Sequence, residues 1–306
     1  MTDCLIVQPI AASGLELLNG AGLSVHTPAT TEFTSLEPHL ATARAVITRN
    51  HGLSATEISA APNLEVIVSH GAGTDAIDKT EAVARGIPVL STPGANTIAV
   101  AEHTMALILA CARQIPQADR ATRGGDFDFR YRQTGFELAG KTLGLVGYGR
   151  IARKVASLAH AFAMHVMAVT RSVTDAELAG DGVEPVDMDT LCSRSDIVSL
   201  HTVPGRHGKF DAVRIGTLRR GAILVNTARG AILDEAALVV ALRNGQLSSA
   251  ALDVFASEPL PGDCPLFACP NLIVTPHVGG SAREALDRTA IAAARKVIEA
   301  LGTVSQ

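Results

Sequence analysis

Three polar residues in the second half of the chain are of the types that interconversion of a keto acid and a hydroxy acid requires. Arg229 lies in the motif NTARG, Glu258 lies in ALDVFASEP, and His277 lies in TPHVGG. A guanidinium binds a carboxylate and polarises a carbonyl oxygen. An imidazole can protonate that oxygen as hydride reaches the carbon, and a carboxylate can hold the imidazole in place. Each residue alone could equally be a surface arginine, a helix cap or a hydrogen-bonded histidine.

All three residues follow short apolar runs that predict β-strands, over residues 222–226, 250–254 and 272–275. Carboxyl ends of neighbouring parallel strands converge on one crevice of an α/β sheet. The sequence therefore predicts that Arg229, Glu258 and His277 face one ligand.

A site for the hydride carrier is predicted in residues 141–162. A buried strand at 143–146 leads into GYGRIA, and apolar residues then recur at helical spacing. Gly147 permits a tight turn, Gly149 lets the backbone approach a pyrophosphate, and Ala152 lets the helix pack against the strand. The N–H groups at the start of that helix would then bind the phosphates of a dinucleotide.

The next strand, predicted over residues 165–169, is followed directly by Thr170, Arg171 and Ser172. Folds that prefer NAD usually have an acidic residue here, about 20 residues after the glycines. A guanidinium and a hydroxyl can instead hold a 2′-phosphate. We therefore predict that NADP is preferred and NAD is possible. The alternative is a solvated arginine and acceptance of either cofactor.

The first 95 residues alternate between short strands and helices, a pattern typical of a parallel α/β sheet. Between two predicted strands lies HGAGTDAID, in which the backbone at Gly71, Ala72 and Gly73 could bind a small anion. Arg49, after another strand, could bind a second anionic group of the substrate. An ordinary turn and a surface arginine are the alternatives. A helix is predicted from Thr97 to about Arg123, a loop over 124–140, and a last helix over 282–301.

Composition narrows the classes of function. The chain has 306 residues, 47% of them hydrophobic and 18% charged, with a net charge of −4. These values favour no nucleic-acid or membrane partner, and the first ten residues do not resemble a signal peptide. Five cysteines, an odd number, predict reduced thiols in a cytoplasmic protein and no metal site.

Five motifs together resemble the D-isomer-specific 2-hydroxyacid dehydrogenase family, which includes D-3-phosphoglycerate dehydrogenases and glyoxylate/hydroxypyruvate reductases. In chain order they are GAGTDAID, NTIAVAEHTMALIL, LAGKTLGLVGYGRIA, NTARGAILDEAALVVALRNGQLSSAALDVFASEP and NLIVTPHVGG. The resemblance covers nearly the whole chain. The stretch after His201 departs from it, because the loop there is shorter than usual.

The resemblance implies an α/β protein with two Rossmann-like domains, each a parallel sheet flanked by helices, and an active site in the cleft between them. Residues 1–95 with 282–306 would form the substrate domain, and residues 96–281 the dinucleotide-binding domain. Arg229, Glu258 and His277 would be the catalytic residues. Asp253 would contact the nicotinamide carboxamide, and the backbone at Ala72 and Gly73 the substrate carboxylate. A homodimer and the short form of the enzyme, without a regulatory extension, are expected.

The candidate site residues therefore fall into three groups. The catalytic candidates are Arg229, Glu258 and His277, and the substrate-binding candidates are Arg49, Ala72 and Gly73. The cofactor-binding candidates are Gly147, Gly149, Arg150, Ile151, Arg171, Ser172, His201, Thr227, Asp253 and Gly279. The favoured function is reduction of glyoxylate or hydroxypyruvate. The alternatives are an enzyme like D-3-phosphoglycerate dehydrogenase and a dinucleotide-sensing binding protein.

Overall fold

The computed structural model describes residues 2–302 as helices packed on two parallel β-sheets. Contacts divide the chain into two compact units, Met1–Asn96 with Gly280–Gln306, and Thr97–Gly279. The sequence-based boundaries, after residues 95 and 281, lie one and two residues from these. Met1 and residues 303–306 of the predicted substrate domain lie outside the described residues.

The first unit contains a five-stranded parallel sheet in the order β2-β1-β3-β4-β5. Its strands are β1 (Cys4–Ile6), β2 (Val25–His26), β3 (Ala45–Thr48), β4 (Val66–Ser69) and β5 (Val89–Ser91). Its helices are α1 (Ala12–Gly20), α2 (Phe33–Leu40), α3 (Ala55–Ser59), α4 (Lys79–Ala84) and the C-terminal α13 (Arg283–Ala300).

Both faces of this sheet are covered, so β1, β3 and β4 are buried along their whole length. Helices α2, α3 and α4 supply the core on one face, and α1 with α13 supplies the other. The small residues of α1 and α13 allow close packing, because a Cβ atom on Gly14 would lie 2.8 Å from the Cβ atom of Ala290.

The second unit contains a seven-stranded parallel sheet in the order β12-β11-β10-β9-β6-β7-β8. Its strands are β6 (Thr142–Val146), β7 (His165–Val169), β8 (Glu184–Pro185), β9 (Ile197–Leu200), β10 (Ala222–Asn226), β11 (Leu247–Leu252) and β12 (Leu272–Val274). Its helices are α5 (Thr97–Ala112), α6 (Ile115–Arg123), α7 (Phe129–Arg132), α8 (Arg150–Ala161), α9 (Asp175–Gly180), α10 (Met188–Arg194), α11 (Ala212–Thr217) and α12 (Glu235–Arg243). Two 3-10 turns occupy Gly230–Ile232 and Pro265–Ala268.

Two hydrophobic clusters cover the two faces of this second sheet. Side chains of α5 and α8 form one cluster, and side chains of α10, α11 and α12 form the other. The strand order reverses between β6 and β9, so the turns after these central strands open at the same edge. The predicted fold class, two parallel sheets flanked by helices, is confirmed.

The predicted helix from Thr97 to about Arg123 spans helical residues at both ends, but it is not continuous, because it breaks at residues 113–114. The chain forms α5 and α6 instead, which are bent by 59° at the break between them. Gln114 adopts a positive φ of 53°, and Pro116 stands in the first turn of α6. A residue in the left-handed region and a proline both end a continuous helix. The predicted loop over 124–140 also contains the short helix α7.

Within residues 2–302, no single helix is long and apolar enough to cross a membrane. The bent pair α5–α6 reaches that length and apolar composition only when its two helices are taken together. All five cysteines are buried and unpaired with one another. Burial raises the pKa of Cys4 to about 12 and that of Cys111 to about 11, so these two thiols stay protonated at neutral pH.

Candidate active site

The three catalytic candidates follow three adjacent strands of the second sheet. Arg229 comes after β10, Glu258 after β11 and His277 after β12, and these strands are neighbours in parallel register. Glu258 Oε2 and His277 Nδ1 are 2.8 Å apart. The structure thus brings two of the three side chains into direct contact.

The turn that carries Arg229 packs against the segment that carries Glu258, and the contacts involve the backbone. Asn226 donates from Nδ2 to the Arg229 carbonyl oxygen at 2.9 Å and so closes the turn. The next residue, Gly230, packs so closely that a Cβ atom there would lie 1.8 Å from the Phe255 carbonyl carbon. Phe255 N in turn donates to Glu258 Oε1 at 2.9 Å. A glycine at 230 is therefore required for the Arg229 turn to reach the Glu258 segment.

The contact between Glu258 and His277 determines the tautomer of the imidazole. A carboxylate only accepts hydrogen bonds, so Nδ1 of His277 carries the hydrogen and Nε2 is left as the other hydrogen-bonding atom of the ring. The side chain of His277 is 36% exposed and that of Glu258 is 30% exposed. The pair is therefore accessible to a small molecule.

The turn between β6 and α8 fits a dinucleotide pyrophosphate. Gly147 has a φ of 92°, and a Cβ atom there would lie 2.4 Å from the His201 carbonyl oxygen, so only glycine suits this position. Gly149 caps α8, and an ideal Cβ atom at Gly149 has no neighbour within 4 Å. Space above Gly149 and the N–H groups of the first turn of α8 are the features that an anion-binding helix terminus requires. Arg150 and Ile151 begin that turn.

Two further cofactor candidates lie at the ends of β9 and β10. His201 N donates to the Val146 carbonyl oxygen at 2.8 Å, which places His201 beside the Gly-rich turn. Burial lowers the pKa of His201 to about 4, so its imidazole is neutral at neutral pH. Thr227 is buried, and its hydroxyl lies 2.9 Å from that of Thr104.

Asp253 and Gly279, also predicted to bind cofactor, are joined to each other. Gly279 N donates to Asp253 Oδ2 at 2.8 Å. The side chain of Asp253 is only 2% exposed. Burial tends to raise the pKa of Asp253, but hydrogen bonds from His103, Thr275 and the backbone outweigh it and lower that pKa. Asp253 is therefore a carboxylate at neutral pH.

Arg171 and Ser172 are exposed at the end of β7, next to the Gly-rich turn in the sheet. Thr170 Oγ1 accepts from Ser172 N at 3.2 Å, which shapes the loop. In the loop after His201, burial and the charges of Arg171, Arg206 and Arg214 lower the pKa of His207, which indicates that these arginines lie near His207. Several positively charged side chains therefore lie near the end of β7.

The substrate-binding candidates lie in the first unit, at the carboxyl ends of β3 and β4. Arg49 donates from Nη1 to the Pro9 carbonyl oxygen at 2.8 Å, and burial lowers its pKa. The loop of Ala72 and Gly73 is closed by Ser69, whose hydroxyl donates to the Gly73 carbonyl oxygen at 2.5 Å. Among residues 2–302, His70 Nε2 is one of the few buried side-chain atoms with no hydrogen-bond partner.

Several residues that organise the site were missed by sequence reasoning. Asn226 shapes the Arg229 turn, and its place at a strand end in NTARG was a readable signal for an Asx turn. Tyr148, inside the Gly-rich turn, donates to Asp181 at 3.0 Å. His103 and Thr275 contact Asp253, and no spacing in the sequence indicates this.

The parallel sheet and the Gly-rich turn before α8 define the second unit as a dinucleotide-binding domain. Residues 105–279 match the family described as "D-isomer specific 2-hydroxyacid dehydrogenase, NAD binding domain". The chain is 38% identical over 284 residues to a D-3-phosphoglycerate dehydrogenase of Archaeoglobus fulgidus, covering 92% of this chain and 54% of that protein. It is 43% identical over 256 residues to a glyoxylate reductase of Thermofilum pendens, covering 81% of this chain and 75% of that protein.

A solved structure has a similar fold. The TT0316 protein of Thermus thermophilus superimposes with a TM-score of 0.89 at 36% identity, covering 98% of this chain and 97% of that one. The chain spans about half the length of the D-3-phosphoglycerate dehydrogenases that it matches. It belongs to the D-isomer specific 2-hydroxyacid dehydrogenase family.

Proposed function

We propose that this protein interconverts a small 2-keto acid and its D-2-hydroxy acid with a nicotinamide cofactor, and that glyoxylate and hydroxypyruvate are its first candidate substrates. The observation that carries this proposal is the contact of 2.8 Å between His277 Nδ1 and Glu258 Oε2 beside the Arg229 turn. Family membership and the named relatives, a glyoxylate reductase among them, support it.

His277 moves the proton in this mechanism. In the direction of reduction, Nε2 of the imidazolium gives its proton to the substrate carbonyl oxygen, and the carbon accepts hydride. A bound reduced nicotinamide would supply that hydride. Glu258 keeps the hydrogen on Nδ1 and stabilises the imidazolium before transfer. His277 then takes a proton from water, and the reverse reaction uses the neutral ring as the base.

Arg229 is assigned to the substrate carboxylate and carbonyl oxygen. A guanidinium binds a carboxylate through two parallel hydrogen bonds, which orients the carbonyl carbon for hydride transfer. The backbone at Ala72 and Gly73 is assigned to the same carboxylate.

Preference for NADP is proposed from the end of β7. Thr170 replaces the acid that would bind ribose hydroxyls, and Arg171 and Ser172 stand exposed beside a positively charged loop. A 2′-phosphate suits a positively charged site, whereas a carboxylate would repel it. Replacing Arg171 with alanine should weaken NADPH binding about tenfold to a hundredfold and leave NADH binding nearly unchanged. Arg219→Ala, which removes a surface arginine paired with Asp196, is the matched control.

The test of the reaction is NADPH oxidation with hydroxypyruvate and glyoxylate, with NADH measured under the same conditions. Faster turnover with NADPH is expected, and the His277→Ala variant should lose turnover. Equal turnover in that variant would refute the proton-transfer role. Better use of NADH would refute the cofactor preference alone.

A second candidate is an enzyme like D-3-phosphoglycerate dehydrogenase, acting on an acid with a second anionic group. Arg49, at the carboxyl end of β3 near the Ala72 loop, favours it. This alternative would be supported if a phosphorylated three-carbon keto acid were the best substrate and if the Arg49→Ala variant lost that preference.

A dinucleotide-sensing binding protein is the third hypothesis, and it predicts cofactor binding without turnover.

A homodimer is also proposed. Helices α6 and α7 and the segment between them expose large apolar side chains, including Ile115 (55%), Phe127 (66%) and Tyr131 (73%). Sedimentation analysis should give twice the mass of the chain, and substituting Tyr131 and Phe127 with serine should reduce the measured mass to that of the monomer.

A cytoplasmic location stays a prediction that rests on the reduced thiols.

A further inference from the structure

The backbone at His277 adopts a conformation that residues other than glycine rarely adopt. Its φ is 54°, in the left-handed region, and within residues 2–302 only Gln114 and Ala163 among other non-glycine residues share this. A residue with a Cβ atom remains in this region only where its surroundings hold it there. The same backbone directs the imidazole toward Glu258.

Asp253 holds the two residues that follow His277. Its Oδ1 atom accepts from Val278 N at 2.9 Å, and its Oδ2 atom accepts from Gly279 N at 2.8 Å. A Cβ atom on Gly279 would lie 3.0 Å from Oδ2, so the glycine lets the carboxylate come close. His277 N meanwhile donates to the Thr275 carbonyl oxygen at 3.0 Å. The strained residue is thus fixed from both sides.

The carboxylate of Asp253 is itself held by two side chains. The Thr275 hydroxyl donates to Oδ1 at 2.6 Å. His103 Nε2 lies 3.2 Å from Thr275 Oγ1 and 3.4 Å from Asp253 Oδ1. Since the single hydroxyl hydrogen points to the carboxylate, Thr275 Oγ1 accepts from Nε2–H of His103. A chain of hydrogen bonds therefore runs from α5 to the loop of His277.

We propose that His103 is a positioning residue: through Thr275 and Asp253 it holds the left-handed backbone that presents His277 to the substrate. This inference rests on the proposed function, because the position of His277 matters for catalysis only if His277 transfers the proton. A purely structural network would affect stability, whereas a positioning network affects the chemical step more than it affects binding.

The test compares His103→Leu with His103→Gln. Leucine has a similar volume and no polar atom, whereas the glutamine amide can place an N–H group near the position of Nε2. We expect kcat to fall about tenfold to a hundredfold in His103→Leu, since a small displacement of a reacting group has such an effect. The KM for the keto acid should stay within about twofold. His103→Gln should recover most of the activity.

The control for lost stability is Ser195→Ala. Ser195 is fully buried in the same unit and donates to the Leu191 carbonyl oxygen at 2.6 Å, away from Asp253. This variant should lower the unfolding temperature without lowering kcat. Equal kcat in wild type and His103→Leu, or equal loss in both His103 variants, would overturn the positioning role.

A crystal structure of His103→Leu separates this inference from the proposed function. We expect the loop after Thr275 to shift and His277 to leave its positive φ. If His277 keeps its φ and its contact with Glu258 in this variant, the positioning role of His103 is overturned, whatever the activity of the variant. Absence of wild-type turnover with every keto acid and both cofactors would overturn the proposed function instead.

Discussion

At the scale of single residues, the site depends on what each hydrogen-bonding atom already contacts. Glu258 uses both carboxylate oxygens, one for Phe255 N and one for His277 Nδ1. Asp253 likewise uses both oxygens, for two backbone N–H groups and a hydroxyl. Two acidic residues five positions apart therefore have different structural tasks. Glu258 holds the imidazole, and Asp253 holds the backbone that carries it.

Replacing Glu258 with glutamine should lower kcat by about 10²- to 10⁴-fold. Phe255 N and His277 Nδ1 face different oxygens of Glu258, and in glutamine one of these two positions becomes an NH2 group that cannot accept a hydrogen bond. The imidazole would lose its orientation and the tautomer that leaves Nε2 for the substrate. Steady-state kinetics with hydroxypyruvate measures the loss.

The matched control is Glu235→Gln. Glu235 accepts from Ala256 N through Oε1 at 2.7 Å, a contact that a glutamine oxygen keeps. Its kcat should equal that of wild type. A Glu258→Gln variant as active as this control would contradict the orienting role of Glu258.

At the scale of elements, the strand ends and the Gly-rich turn were predictable, and the helix boundaries were less so. Strands β3, β7 and β10 occupy the predicted residues, because each is a short apolar run that the fold buries. Helix α9 was not predicted, although Thr174 and Glu177 form a capping box that the sequence displays. Strand β11 begins earlier than predicted, at Leu247, because its first residues pair with β10 across an irregular register.

The two glycines of the turn before α8 should respond differently to substitution with alanine. Gly147→Ala meets the His201 carbonyl oxygen and needs a φ of 92°, so the fold should lose at least about 1–3 kcal/mol of stability. Gly149→Ala has open space around it, so the fold should tolerate it. A methyl group there would keep a pyrophosphate from the backbone, and NADPH binding should weaken at least about tenfold.

Thermal unfolding and cofactor titration of both variants measure these effects. A Gly149→Ala variant that binds NADPH as tightly as wild type would contradict the assignment of the turn. A Gly147→Ala variant with an unchanged unfolding temperature would contradict the need for glycine at this position.

At the scale of the whole molecule, one partly buried histidine in each unit links stability to pH. Burial lowers the pKa of His201 to about 4. Burial and the charge of Arg49 lower the pKa of His70 to about 4 as well. In the folded protein, the pKa values of both histidines lie below the ordinary value of 6.5. As the pH falls, the unfolded chain therefore binds protons at these histidines before the folded protein does.

Stability should therefore decrease as the pH falls from about 6.5 to 4, by at most about 3 kcal/mol for each histidine. This window lies above the one in which most carboxylates titrate. Urea unfolding at several pH values measures the slope for wild type and for His70→Gln. The variant should show a shallower decrease between pH 6.5 and 5. Identical slopes would mean that His70 is not buried in its neutral form.

The sequence by itself determined the α/β class, the Gly-rich turn and the order of the strand ends that carry Arg229, Glu258 and His277. These features depend on local patterns, namely short apolar runs, small residues at a turn and polar residues directly after strands. The tertiary structure alone decided the positive φ of His277 and the link from His103 to Thr275, two residues separated by 172 positions. Such a link depends on how α5 packs against the ends of β11 and β12, and no local pattern in the sequence encodes that packing.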